Sequence, residues 1–168
     1  MTNYQIYLQT CRELVIEAES AARLDLHDSV NAYLIALLAR NFDKTDGIQY
    51  NYDLLPKLAN KETSWTSRMH CVEAAEQCLM ISGLTPFVAD RRGIEPKHFV
   101  NCGRTFYNQA AYCTRPPDDF MNELSNQFNA MRDVVSAAFD RTAKTFRQRR
   151  QLVEAGSSIT HVAEIKLV

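Results

Sequence analysis

The stretch FMNELSNQFNAMRDVVSAAFDRTAKTF (120–146) decides the fold class, because its apolar residues recur at helical spacing. Residues three and four positions apart lie on one face of an α-helix, and an apolar face packs against a core. Pro117 and the two aspartates that follow it are typical of a helix N-terminus. The stretch therefore predicts one long, half-buried helix that runs on towards Phe146. Its buried face comprises Phe120, Leu124, Phe128 or Gln127, Met131, Val134, Val135, Ala138 and Thr142.

The same spacing predicts four earlier helices. One begins near Tyr4, a second is capped by Asp28 or Ser29, a third opens at Thr63 or Ser64, and a fourth has Pro96 in its first turn. The alternating pattern of a β-strand occurs nowhere in these stretches. The sequence thus predicts an all-α, single-domain irregular helical bundle of about five main helices, spanning residues 1–153. Residues 154–168 are predicted to form a C-terminal tail or arm, as a strand, a helix or an extended segment.

Composition narrows the class of protein. With 168 residues, 46% of them apolar and 23% charged, the chain is typical of one soluble globular domain. The net charge is −1, although residues 1–84 carry seven Lys/Arg against eleven Asp/Glu and residues 85–168 carry twelve against nine. The sequence contains no secretory-signal pattern and no apolar run of membrane-span length. Together with five scattered cysteines, these features predict a cytoplasmic protein with reduced thiols.

The connection SGLTPFVADRRGI (82–94) joins two of the predicted helices. Gly83 and Pro86 end the first of them, and apolar side chains are available to pack the connection against the bundle. We expect Phe87 and Ile94 to be buried and one of the two arginines, Arg91 or Arg92, to bind acidic or carbonyl groups of the protein. Gly103 interrupts the next helix at a cost of roughly 1 kcal/mol relative to alanine, which predicts close approach of another segment.

Three segments together resemble a known family. AYLIALLARNF (32–42), AEQCLMISGLTPFVADRRGI (75–94) and FVNCGRTFYNQAA (99–111) are similar to motifs of an uncharacterised all-helical family of bacterial proteins. The likeness covers roughly residues 30 to 112, and Phe99, Glu76 and Gln77 depart from the family pattern. It implies a helical fold and a bacterial, cytoplasmic source, and it implies no activity. The residues that match are Tyr33, Leu34, Leu37, Leu38, Gly83, Pro86, Arg91, Gly103, Tyr107 and Ala111.

Candidate catalytic and metal-binding residues are few. His98 and Cys102 are four residues apart, so a helix would present an imidazole and a thiol on one face, which makes them weak metal candidates. Glu95 forms an E-x-x-H pair with His98, but a di-iron bundle needs two such pairs and the sequence has one. A P-loop, a dinucleotide-binding fingerprint and a G-x-S-x-G elbow are also missing from the sequence. We therefore expect no cofactor and assign no catalytic residue.

Basic side chains form two groups that suit an anion or an acidic partner surface. Helix N-termini favour anions and helix C-termini favour cations of the protein itself, so the same groups also have a purely structural interpretation. Nucleic acid is the less favoured partner, because the sequence shows no recognition-helix motif. The groups are Arg91, Arg92, Lys97 and Arg104 around the 82–94 connection, and Arg141, Lys144, Arg147, Arg149 and Arg150 near the end of the long helix.

These observations favour a non-catalytic protein-interaction or regulatory module that binds a protein partner or a second copy of itself. The alternative is a helical bundle with a small-ligand or metal pocket, which would also suit an enzyme. Such a pocket would bring together polar groups such as His98, Arg104 and Tyr107 in an apolar cavity.

Overall fold

The computed structural model describes residues 2–41, 64–84 and 95–140, and these ranges form six α-helices and no β-strand. The predicted all-α helical bundle is therefore confirmed. The helices are α1 (Asn3–Ala22), α2 (Asp28–Arg40), α3 (Ser64–Leu84), α4 (Pro96–Tyr112), α5 (Asp119–Asn126) and α6 (Phe128–Asp140). None of these helices is long and apolar enough to cross a membrane.

The helix N-termini follow from local sequence. Thr2 caps α1 in a capping box, in which Gln5 N donates to Thr2 Oγ1 and Thr2 N donates to Gln5 Oε1. Pro96 occupies the first turn of α4, as predicted. Asp118 caps α5 by accepting hydrogen bonds from the backbone N–H groups of Phe120 and Met121. The expected cap of α2 was wrong by one or two residues, because its N-cap residue is His27.

The predicted long helix is two helices that meet at Gln127. There φ is −90° and ψ is 9°, outside the usual helical values, although Gln127 N still donates to Glu123 O. The Gln127 side chain holds the bend: its Nε2 donates to Glu123 Oε1, and its Oε1 accepts from His27 N at 3.3 Å. The bend lets α5 pack on α4 while α6 packs on α1 and α3.

One hydrophobic core joins the six helices. Its largest fully buried side chains include Tyr107, Phe128, Leu34 and Leu79. Among the described helices, α3 and α4 make the most extensive contact with each other. Cys71, early in α3, contacts Gln109 late in α4, whereas Cys78 lies beside Gly103, so the two helices run antiparallel. The interface of these two helices is called the α3–α4 seam below.

The apolar residues at helical spacing include Tyr4 in the first predicted helix and Met69 in the third, which predicts that both are buried, but both are exposed. Tyr4 in the first turn of α1 is 45% exposed, and Met69 in α3 is 55% exposed. Both lie near a helix N-terminus, where fewer neighbouring helices reach the predicted face. The predicted helical spacing of apolar residues is correct in both helices, but the predicted burial of that face near their N-terminal ends is wrong.

Candidate functional site

The predicted basic sites are only partly within the described residues. Lys97 and Arg104 lie on α4, and both are exposed. They are seven residues apart, two helical turns, and therefore lie on the same side of α4. The Arg104 carbonyl oxygen accepts a hydrogen bond from Ser125 Oγ at 2.9 Å, which ties this turn to α5. Outside the described residues lie Arg91, Arg92, Arg141, Lys144, Arg147, Arg149 and Arg150, as well as Phe87, Ile94 and the tail 154–168.

His98 and Cys102 are neighbours, as their spacing predicts, with 3.5 Å between His98 Nε2 and Cys102 Sγ. Burial raises the pKa of the Cys102 thiol, so the thiolate that a metal requires is disfavoured. The described ranges contain no group of three or more His, Cys, Asp or Glu side chains placed to hold a metal ion. Within the part of the chain that the structure describes, the pair therefore has no further ligands of the kind a zinc site needs.

The polar groups expected to line a pocket do not converge. Tyr107 is fully buried, with 0% exposure, whereas His98 and Arg104 are exposed. The Tyr107 hydroxyl instead lies 3.2 Å from the Tyr33 hydroxyl on α2. A ligand that reaches His98 or Arg104 from solvent would thus not touch Tyr107.

Tyr33 is the centre of a polar cluster that joins three helices. Its hydroxyl donates to Glu76 Oε1 on α3 at 2.6 Å, and the same oxygen accepts from Arg40 Nη2 at 2.8 Å. Because the one hydroxyl hydrogen of Tyr33 is used by Glu76, the hydroxyl of Tyr107 is the donor to Tyr33. The Tyr33 ring makes edge contacts with Tyr107 and Phe120 at 6.3 and 5.7 Å between centroids.

The chemistry of this cluster is set by burial. Burial, followed by the nearby Tyr107 and Glu76, raises the pKa of Tyr33 well above its usual value. Burial also raises the pKa of Tyr107. Both phenols are therefore protonated near neutral pH and act as hydrogen-bond donors, not as bases. The arrangement fixes the register of α2 against α3 and α4.

Sequence reasoning found part of this cluster. Tyr33 and Tyr107 belong to the segments that carry the family resemblance, but Glu76 stood out only as a departure from that pattern. A signal for Glu76 existed: on a helix it shares a face with Val72 and Leu79, four residues before it and three after it, so a carboxylate there needs a partner.

The α3–α4 seam carries four of the five cysteines, and all five are free thiols. Burial raises the pKa of Cys71 to about 11 and that of Cys78 to about 12, with smaller contributions from Cys113 and Cys102 respectively. Protonated, buried thiols are poor nucleophiles. Cys71 and Cys78 are therefore slow nucleophiles near neutral pH.

Large exposed apolar side chains mark one end of the seam. Met69 on α3 is 55% exposed and Tyr112 on α4 is 65% exposed. Arg68, next to Met69, forms an ion pair with Asp118 just beyond α4, with 2.7 Å between Nη2 and Oδ2. The ion pair holds the N-terminal end of α3 against the C-terminal end of α4. Met69 and Tyr112 therefore belong to the same end of the bundle, and the name seam end is used below for these two residues.

Comparison of the chain with protein-family models, with curated proteins and with solved structures finds no match. The resemblance to a bacterial helical family consequently stays a prediction.

Proposed function

We propose that the protein is a non-catalytic interaction module whose partner is a second copy of the same chain. The observation that supports this is the exposure of Met69 and Tyr112 at the seam end. Methionine and tyrosine are enriched in protein–protein interfaces, and burying a side chain of this size contributes about 1.5–3 kcal/mol. An isologous dimer brings the same patch of both copies together, so the two residues would be buried twice.

The charges around the seam end favour this arrangement. The ion pair of Arg68 with Asp118 neutralises both charges within one chain, with side-chain exposures of 18% and 26%. Self-association at this surface therefore leaves no unpaired charge of this pair to be buried. The exposed cations Lys97 and Arg104 lie nearer the N-terminus of α4. They remain the predicted contacts for an anion or an acidic partner.

The proposed setting is the cytoplasm of a bacterium. Five free cysteines are typical of a reducing compartment, and the family resemblance implies a bacterial source. The alternative function, a small-ligand or metal pocket, has less support, because Tyr107 is buried while His98 and Arg104 are exposed.

Sedimentation velocity over a range of protein concentrations tests the proposal. We expect the full chain to form dimers as concentration rises and the variant Met69→Glu/Tyr112→Glu to stay monomeric. Ile16→Glu is the matched control, because Ile16 is 53% exposed but lies on α1, which packs mainly on α2 and α6. It should dimerise like the unaltered chain. Circular dichroism checks that each variant is folded.

Two results would contradict the proposal. One is an unaltered chain that stays monomeric at every concentration. The other is a dimer that Ile16→Glu disrupts while Met69→Glu/Tyr112→Glu leaves it intact, since that would place the interface on α1.

A further inference from the structure

Cys71 and Cys113 lie on facing sides of the α3–α4 seam. Cys71 Sγ reaches across to α4, where it lies 3.8 Å from Gln109 Oε1. Cys113 follows Gln109 by one helical turn and keeps right-handed helical backbone angles, with φ −71° and ψ −14°. Residues four apart lie on the same face of a helix, so Cys113 is on the side of α4 that Cys71 faces.

The backbone around this pair is held on both sides. Arg68, three residues before Cys71, pairs with Asp118 at 2.7 Å. Asp118 N in turn donates to Ala111 O at 2.9 Å, which folds the segment after Cys113 back onto the end of α4. These two contacts keep Cys113 close to α3 without any covalent link.

The two thiols differ in access. Cys71 is buried, with 5% exposure, whereas Cys113 is half-buried at the end of α4. A small reagent in solvent therefore has better access to Cys113 than to Cys71. This is the arrangement of an attacking thiol and a resolving thiol.

We propose that Cys71 and Cys113 are an oxidisable dithiol that a low-molecular-weight disulfide, such as glutathione disulfide, converts to an intramolecular disulfide. The inference does not depend on the proposed self-association.

The reaction proceeds in two exchanges. The Cys113 thiolate attacks one sulfur of the reagent, the reagent's S–S bond breaks, and the first small thiolate leaves and takes up a proton. The Cys71 thiolate then attacks the Cys113 sulfur of the mixed disulfide, and the second small thiol leaves. Two protein thiols are oxidised, one small disulfide is reduced to two thiols, and the two protein protons end on the released thiols.

The second exchange is the slow one near neutral pH. In the dithiol, burial and next the neighbouring Cys113 raise the pKa of Cys71 to about 11, and the larger contribution, burial, remains when Cys113 is in the mixed disulfide. Only the thiolate attacks, so below that pKa the rate of the second exchange rises about tenfold per pH unit. The mixed disulfide on Cys113 should therefore accumulate early and then decay.

The test is oxidation of the reduced full chain by glutathione disulfide at low protein concentration, at several pH values from neutral to mildly alkaline. After quenching with N-ethylmaleimide, intact mass should show the glutathione adduct, then a species that has lost two hydrogen atoms. Digestion after glutamate residues separates Cys71 from Cys78, because Glu73 and Glu76 lie between them. The non-reduced digest should contain a Cys71–Cys113 crosslink.

Variants make the assignment specific. Cys113→Ser should abolish the crosslink, and Cys71→Ala should stop the reaction at the adduct on Cys113. Cys102→Ser should leave the Cys71–Cys113 crosslink unchanged. The crosslink should raise Tm by about 5–10 °C, because it closes the chain between the two helices.

Three outcomes would overturn the proposal: an adduct on Cys113 that never resolves, a Cys78–Cys102 crosslink in place of the expected one, or a disulfide between two chains.

Discussion

Gly103 on α4 lies directly against the ring of Phe128 on α6. A Cβ atom at position 103 would overlap two ring carbons of Phe128 and lie 3.0 Å from Cβ of Cys78. Phe128 is fully buried, so its ring has little room to move. The close approach predicted from the glycine in a helix interior is thereby confirmed, and the neighbours are α3 and α6.

Adding a methyl group at this position should destabilise the fold. Gly103→Ala gains roughly 1 kcal/mol in helix propensity but overpacks the contact, which typically costs about 1–3 kcal/mol. We expect a net loss in the free energy of unfolding, measured with urea, and a larger loss for Gly103→Leu. In a Phe128→Leu background Gly103→Ala should cost less. Additive effects of the two substitutions would show that the glycine does not contact this ring.

The hydroxyl of Tyr33 is predicted to matter more than that of Tyr107. Tyr33→Phe removes the donor to Glu76 and leaves the fully buried Tyr107 hydroxyl without its acceptor, which should cost about 1–3 kcal/mol. Tyr107→Phe leaves the bond from Tyr33 to Glu76 intact and should cost about 0.5–1.5 kcal/mol. Urea unfolding of both variants gives the comparison.

The double variant provides the control for this cluster. Once Tyr33 is phenylalanine, Tyr107→Phe removes a buried hydroxyl that has lost its partner, so it should then be neutral or stabilising. A cost for Tyr107→Phe that is the same in both backgrounds would mean that the two hydroxyls do not interact.

Local pattern was enough to predict much of the fold. Along α4, Pro96 marks the first turn, and the face predicted by the helical spacing is largely buried. Phe99, Gly103, Tyr107 and Ala110 are buried, whereas Cys102 and Phe106 on the same face are half-buried. The bend at Gln127 was missed, because glutamine is a good helix former and the apolar period continues past it. Its cause is tertiary: Gln127 accepts from His27 N, which lies far away in the sequence.

The polar cluster around Tyr33 likewise depends on contacts between helices, which the local sequence pattern does not predict. Tyr33 and Glu76 are 43 residues apart, so their hydrogen bond depends on the register of α2 against α3. The spacing of apolar residues within one helix does not determine how that helix aligns with another. The spacing of His98 and Cys102, by contrast, lies within one helix, and the predicted neighbourhood was correct.

Stability should depend on the charge of Asp118 in acid. Burial alone would raise its pKa, but the hydrogen bond from Arg68 and those from two backbone N–H groups outweigh burial and lower it. Because the folded-state pKa is below the unfolded value near 4, the stabilisation is present above that value and is lost as pH falls through the folded pKa.

Asp118→Asn tests this pH dependence, because asparagine keeps the helix cap but removes the charge. At pH 7 the variant should be less stable by about 1 kcal/mol, and the difference should shrink as the pH falls below roughly 4. Asp119→Asn is the control, since Asp119 is the exposed next residue. If the difference in stability between Asp118→Asn and the unaltered chain stays constant down to low pH, the charged pair of Asp118 with Arg68 is not its cause.

The five thiols should divide into two reactive and three protected groups in the freshly reduced, native protein. Cys102 and Cys113 are half-buried, whereas Cys11, Cys71 and Cys78 are 0%, 5% and 7% exposed. Burial also raises the pKa of Cys11 and Cys78 to about 12. An alkylating reagent such as N-ethylmaleimide near neutral pH, with the products counted by intact mass, should therefore modify two thiols rapidly, with the other three reacting only as the fold opens. Under denaturing, non-reducing conditions all five should react. A third fast thiol would show that the seam opens in the native state, and fewer than five in denaturant would contradict the prediction that the protein is maintained in a reducing compartment.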